Sequence, residues 1–355
     1  MTLARFGYVS AAVFAVACVL VVVALVAVRL VKDRAERRRL SLRAPVWRVV
    51  LTLSGGEDDE IDEAYERLLA TTLAEREAVE NDAFALLPKL RGDARERLRS
   101  VLRAWGTIRN ARHSTASRSA VRRCRGYYRL GALAEPGGHE EVVAGLDDRD
   151  FIARRTSMLA LGSFPDVAVV ARMLEGAVGE PRLRRDFLAS IDRIGQVAVP
   201  VLMAELERAR AEARTYPLRS ERRGLLAAEA LGLVGAVQSV RVIEESLPGA
   251  PEEMQIACIN ALGELGSPTS VPALAAAVTH PAPDVRRVAA QSLGLVGGRN
   301  AVLSLAQVLE DPNIEVARAA ANGLQRCGPA GQAVLHQSAA PVAREVLALA
   351  ALGSA

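Results

Sequence analysis

Aromatic side chains make up only 4% of this 355-residue chain, as two Trp, five Tyr and six Phe. That scarcity argues against the strands of a β-sandwich or barrel, and it leaves few rings on which nucleobases can stack. Lysine is nearly missing. Lys32 and Lys89 are the only two and neither lies beside a glycine-rich loop, so a phosphate-cradling GxxxxGK[ST] loop is excluded. The histidines His113, His139, His280 and His336 are scattered, with no His-x-x-x-His and no paired-cysteine spacing, and no metal site is expected. His280, beside Pro281, reads as a turn-capping residue. No G-x-S-x-G nucleophile motif occurs. The cysteines form no disulfide framework: Cys18 lies in an apolar run, and Cys124, Cys258 and Cys327 fall in expected helices, as reduced core thiols do. No catalytic residue, metal, cofactor or small-molecule substrate emerges, and the chain is expected not to be an enzyme. Ala, Leu and Val are abundant, which suits close packing of helix on helix.

From Phe6 to Leu30 an almost unbroken apolar run of 25 residues is long enough to cross a bilayer as a helix. Only Arg5 precedes it, whereas Arg29, Lys32, Arg34, Arg37, Arg38, Arg39, Arg43 and Arg48 sit at its C-terminal side against Asp33 and Glu36. The positive-inside rule then expects a single-pass protein of the cell membrane, N-terminus outside and residues 31–355 in the cytoplasm. Ala15-Val-Ala17 matches a cleavage pattern, but cutting there would leave a long apolar segment followed by a basic stretch, unlike a signal peptide. Arg29, Lys32, Arg34, Arg37, Arg38 and Arg39 are expected to meet anionic lipid headgroups. Gly7, Ala11 and Ala15 form a small-xxx-small row that would let another transmembrane helix approach.

Beyond the run, residues 31–60 read as a basic juxtamembrane segment and linker, with Pro45, Ser54-Gly55-Gly56 and the acidic cluster Glu57–Glu60 ahead of a helix. Residues 61–82 read as one capping or stalk helix, and 83–355 as a repeat array. The array announces itself by its glycines: Gly235, Gly266, Gly297 and Gly328 recur every 31 residues, in the words Leu231-Gly-Leu-Val-Gly235, Leu262-Gly-Glu-Leu-Gly266, Leu293-Gly-Leu-Val-Gly297 and Leu324-Gln-Arg-Cys-Gly328. Such self-similarity predicts a solenoid of stacked helical hairpins, roughly eight here, in which no unit buries its apolar face alone. Between Gly195 and Gly235 the spacing is 40 instead of 31, an insertion of nine residues placed around 207–223. Asp147–Asp150, Pro248–Pro251, His280–Asp284 and Asp311–Asn313 mark the turns before second helices.

The segment Asp284-Val-Arg-Arg-Val-Ala-Ala-Gln-Ser-Leu-Gly-Leu-Val-Gly297 resembles a HEAT repeat, most of all the short subtype named after phycobilin lyases. Glu315–Gly328 and Glu252–Gly266 are similar, and the likeness fades toward residue 83. The resemblance implies an all-α fold, an α-solenoid of HEAT-like helical hairpins preceded by a single transmembrane helix, with second helices lining the concave face. Glu229, Asn260, Gln291 and Asn322 then form an in-register polar ladder expected to bind a partner. The insertion, with Tyr216, Arg219, Arg222 and Arg223, is a second candidate contact. The recurrent Arg154, Arg155, Arg184, Arg185, Arg286, Arg287 and Arg318 allow a nucleic-acid groove, but interleaved acids favour ion pairing with neighbouring turns, so no nucleic acid is expected. The expected role is a membrane-anchored, non-catalytic scaffold at the cytoplasmic membrane face for an unidentified protein partner, membrane proteins included. The alternatives are a phycobilin-lyase-like enzyme or subunit and an Arg-lined nucleic-acid-binding solenoid.

Overall fold

The computed structural model describes residues 3–135 and 138–353, with side chains from residue 20 onward except those of residues 35 and 353. The Gly7-Ala11-Ala15 packing row thus lies outside the described side chains. Among the described residues all regular structure is helical, in two compact units, residues 1–110 and 111–355.

In the first unit, α1 (Leu3–Gly55) packs against α2 (Asp58–Leu69), α3 (Leu73–Leu86) and α4 (Gly92–Ala104). The linker expected over 31–60 is therefore corrected: α1 runs straight through Pro45 to Gly55. An interior proline costs about 3 kcal/mol. The helix continues because Val46, Val50 and Leu53, on one face at i, i+4 and i+7, are buried in the unit. The single helix expected over 61–82 is corrected as well. It is broken before α3 by a capping box, in which Thr72 accepts from the Glu75 amide and Glu75 accepts from the Thr72 amide at 2.8 Å. Residues 83–110, assigned from sequence to the repeat array, belong to this first unit; Trp105 is buried there and donates to Leu68 O at 2.9 Å.

The second unit is a solenoid of hairpins whose first helices are α5 (Thr107–Thr115), α7 (His139–Ala144), α9 (Val167–Gly179), α11 (Val199–Glu212), α13 (Val240–Glu245), α15 (Val271–Ala277), α17 (Arg299–Gln307) and α19 (Pro329–Gln337). Their second helices are α6 (Ala120–Leu133), α8 (Phe151–Leu161), α10 (Arg184–Ile194), α12 (Pro217–Leu233), α14 (Glu252–Leu265), α16 (Pro283–Val296), α18 (Ile314–Arg326) and α20 (Pro341–Gly353). The division between units falls within α5. Pro181–Glu212 is long and apolar enough to resemble a membrane span, yet Gly195 (φ +66°) splits it into α10 and α11, both packed into the solenoid core.

Two glycines per repeat have different tasks. The one recurring every 31 residues ends the second helix in a left-handed conformation, with φ of +65°, +62°, +70° and +70° at Gly235, Gly266, Gly297 and Gly328. The glycine of the Leu-Gly pair lies inside the helix and faces the next repeat. A Cβ on Gly131 would come 2.8 Å from Ala160 Cα, on Gly232 2.9 Å from Ala261 Cα, on Gly263 2.9 Å from Ser292 Cα and on Gly294 2.5 Å from Gly323 Cα. Each glycine thus presses on a small residue 29 positions later, and backbone meets backbone. Ser292 adds a hydrogen bond across this contact, donating to Ile259 O at 2.9 Å, as Ser190 does to Met158 O at 3.0 Å. Asp192 takes the place of this glycine in α10 and Gln325 in α18, and α10–α12 and α18–α20 are among the sparser junctions, as is α8–α10.

Gly294→Ala should therefore destabilise the second unit by about 1–3 kcal/mol in urea unfolding, because overpacking outweighs the gain in helix propensity. Gly179→Ala, at a helical glycine with open space around it, should instead be neutral or stabilising by up to about 1 kcal/mol.

Candidate functional site

The arginines near the start of second helices are used as braces between repeats. Arg123 is bidentate on Asp148, with Nε to Oδ2 and Nη2 to Oδ1 both 2.6 Å, and its Nη1 donates to Ser117 O and Arg118 O. Arg286 repeats this on Asp311 at 2.8 and 2.9 Å while donating to His280 O and Pro281 O. Arg154 joins Asp148 O at 2.7 Å to Glu180 at 3.1 Å. Each guanidinium therefore ties its own turn to the acid of the next one; pairing of Arg154 with Asp150 is not what forms, since Asp150 caps α8 through the amides of Ile152 and Ala153. His280 takes the corresponding turn position, where Nδ1 accepts from the Ala282 amide at 3.1 Å. The forks hold Asp148 and Asp311 below the usual carboxylate range, and Arg182 followed by Arg154 draws Glu180 down to about 2. Arg155 is spent on Asp186 and Arg318 on Glu315. Arginines so occupied do not form a continuous phosphate track.

The insertion is organised from within. Arg223 is 1% exposed and meets three carboxylates: Glu175 at 2.8 Å, Glu212 at 2.8 Å and Glu205 at 3.1 Å. Arg208 pairs with Glu212 and Arg219 with Glu175, so three acids balance three arginines across α9, α11 and α12. Arg223 is thus corrected from a surface contact to the internal clamp of the insertion. Tyr216 is 58% exposed and Arg222 is exposed, while Arg219 is half-exposed but engaged.

The ladder is divided. Asn260, Gln291 and Asn322 are exposed at equivalent places on α14, α16 and α18. Glu229 is half-buried and bonded to Arg184, whose Nε reaches its Oε2 at 2.9 Å, so it is corrected from a free rung to one side of an ion pair across the loose α10–α12 seam. Gln196 spans the same seam to Val234 O at 2.7 Å. Beside the seam, α10, α12 and α14 line a groove of about 350 Å³ with Leu188, Glu229, Leu233, Asn260, Ala261 and Glu264. Burial, and then the charge of Glu229, raises the Glu264 carboxyl above its ordinary value. Leu188 and Glu264 escaped notice from sequence alone, as did the pairing of Arg184 with Glu229; the substitution of Asp192 for the repeat's glycine was the available signal that the junction differs here.

In the first unit, Arg29, Lys32, Arg34, Arg37, Arg38 and Arg39 are all exposed along α1. Arg43, one turn on, pairs with Asp82 at 2.6 Å and lies 5.5 Å from the Trp47 ring. Among the described residues no cluster of His, Cys, Asp and Glu is arranged to hold a metal ion.

HEAT repeats match residues 224–294, 242–325 and 271–352 in overlapping frames, so the stretch from α12 into α20 consists of HEAT repeats. No curated protein sequence matches the chain. Among solved structures, human deoxyhypusine hydroxylase is similar at 22% identity, covering 70% of this chain and 95% of its own, with a TM-score of 0.31. The CpcE–CpcF phycocyanin lyase complex from Nostoc is similar at 20% identity over 68% and 92%, TM-score 0.32. Kap121p matches at 10% identity over 83% of this chain and 38% of its own, TM-score 0.41. Likenesses this distant speak to helical-repeat fold alone. The expectation that the chain is not an enzyme is nevertheless corrected: a hydroxylase and a lyase stand among these solenoids, so the repeat fold sets no catalytic role aside.

Two outcomes check the electrostatics. Arg223→Met takes the buried partner from three carboxylates, leaving only Arg208 and Arg219 to pair with them, and should cost about 3–5 kcal/mol in urea unfolding. The Asp311 carboxyl is depressed on folding, so its brace contributes fully above its unfolded value near ~3.9 and is lost as pH falls through the lower folded value. Asp311→Asn should therefore lower Tm at pH 7, and the gap from the parent chain should close on acidification below about pH 4.

Proposed function

We propose that this chain is a membrane-tethered solenoid that recruits a protein partner at the cytoplasmic face of the cell membrane. The observation that carries the reading is the row Asn260, Gln291 and Asn322: three exposed amides held in register on second helices whose spacing is set by direct glycine contacts. Amides offer both donor and acceptor, and a rigid row of them suits the backbone of a bound segment. The groove at the α10–α12 seam, with Leu188 and Leu233 beside Glu229, extends this surface by an apolar notch.

The tether is supported by α1. Its residues Leu20 to Val31 stand free of the protein, with Leu20 63% and Val31 67% exposed, and lipid is the environment that stabilises such a surface. Arg29, Lys32, Arg34, Arg37, Arg38 and Arg39 follow at the depth where anionic headgroups lie, and their excess over the N-terminal side orients the solenoid inward. A tether confines the solenoid to the membrane plane and raises its effective concentration toward a membrane-bound partner.

The test is affinity purification of the full chain from gently solubilised membranes, alongside two variants. One carries Asn260→Ala, Gln291→Ala and Asn322→Ala together; the other has residues 6–30 exchanged for an unrelated transmembrane helix. A partner recovered with the exchanged span and reduced at least about tenfold by the triple variant is the expected result. A partner indifferent to the amides overturns the solenoid reading, and a partner lost with the native span moves recognition to Gly7, Ala11 and Ala15. Fractionation that leaves the full chain out of the membrane removes the tether.

A further inference from the structure

The insertion builds a cleft of its own. α11 and α12, together with the Pro248–Pro251 turn ahead of α14, wall a half-enclosed space of about 270 Å³. Its sides are apolar, from Ala209, Ala213, Pro217, Pro251 and Met254. On its wall lies Ser220, 2% exposed, whose Oγ has no hydrogen-bond partner. The cleft's other hydroxyl, Ser246, is already bonded to Val242 O at 2.8 Å. A buried hydroxyl without a partner is destabilising, so this cleft holds one polar demand amid apolar walls. Its rim is basic: Arg214 is in no ion pair among the described residues, and Arg210 has only Glu245 at 3.6 Å, against the single acid Glu221.

We propose that this cleft receives the tyrosine side chain of an acidic protein segment. The proposal rests on the protein-recruiting reading above and names a feature of the partner. The volume suits one large side chain better than a free cofactor, since ligand pockets run from about 300 to 1,000 Å³. A phenol joins an apolar body to one polar tip, which matches apolar walls with one unpaired hydroxyl. A carboxylate pushed to the same depth would lose its water for the sake of one hydroxyl, because both arginines stand at the mouth and not on the wall. There the arginines meet acidic residues flanking the tyrosine, where solvent-exposed pairing is cheap to form and gives orientation more than affinity.

The experiment titrates the full chain in detergent with short Asp/Glu-rich peptides that differ only in a central Tyr, Phe or Ala. The Tyr peptide should bind best, about tenfold over the Phe peptide, which lacks the hydroxyl. Ser220→Ala removes an unpaired polar atom and leaves the fold intact. It should abolish the Tyr-over-Phe preference while leaving Phe binding unchanged, a change of ratio that a loss of structure would not produce. Ala213→Trp, which fills the cleft, should abolish both. Equal binding of Tyr and Phe peptides, a preference that survives Ser220→Ala, or no binding up to millimolar peptide overturns the proposal and assigns Ser220 to bound water. The Asn260, Gln291 and Asn322 triple variant should keep the Tyr preference. Loss of partner capture by that variant while the peptides fail to bind would sink the cleft alone; the converse would sink the ladder alone.

Discussion

The second unit depends on how near two helices can come. At Gly131, Gly232, Gly263 and Gly294 a side chain is missing from the last turn of a second helix, and a small residue of the following second helix fills the gap. The contact is made by Cα atoms and carbonyls, so it fixes distance and register more narrowly than interdigitating leucines would. Glycine within a helix costs up to about 1 kcal/mol against alanine. Its retention in these four contacts is intelligible only because the alternative is steric overlap. Buried Leu130, Leu231, Leu262 and Leu293, one residue before each glycine, then complete the core.

A second constraint works at the other end of the same helices. The guanidinium groups of Arg123, Arg154 and Arg286 each bind carbonyls of one turn and a carboxylate of the next, so that the turns are spaced by a side chain as the helices are by glycine. Arginine suits the place because its planar fork serves two acceptors at once and carries its charge at any working pH. With both ends held, the exposed rows of the second helices are relieved of structural duty. That is why Asn260, Gln291 and Asn322 can remain exposed, Gln291 accepting only from Arg287 of its own helix at 3.5 Å.

Much of this organisation is legible in the residues themselves. The period of 31 is visible because a left-handed helix end all but demands glycine, and that demand returns with every repeat. The nine extra residues before Arg223 are visible for the same reason. The task of the Leu-Gly glycines is hidden, since the residue each one touches lies 29 positions away and is unremarkable by itself. Pro45 misleads, because local propensity says break while the burial of Val46, Val50 and Leu53 says continue, and tertiary packing prevails. Arg223 misleads in the opposite sense: a charged residue in a charged stretch looks like surface until Glu175, Glu205 and Glu212 are seen to surround it.

The seam between α10 and α12 has a consequence for how the molecule comes apart. In a linear array each unit is coupled only to its neighbours, and cooperativity travels as far as the couplings stay strong. From α12 to α18 every junction between second helices is a glycine contact; at α10–α12 it is a pair of polar bridges around an open groove. The array is thus divided into cooperative blocks, and one of its weak links lies beside the polar row. A segment seated across that groove would weld the blocks into one.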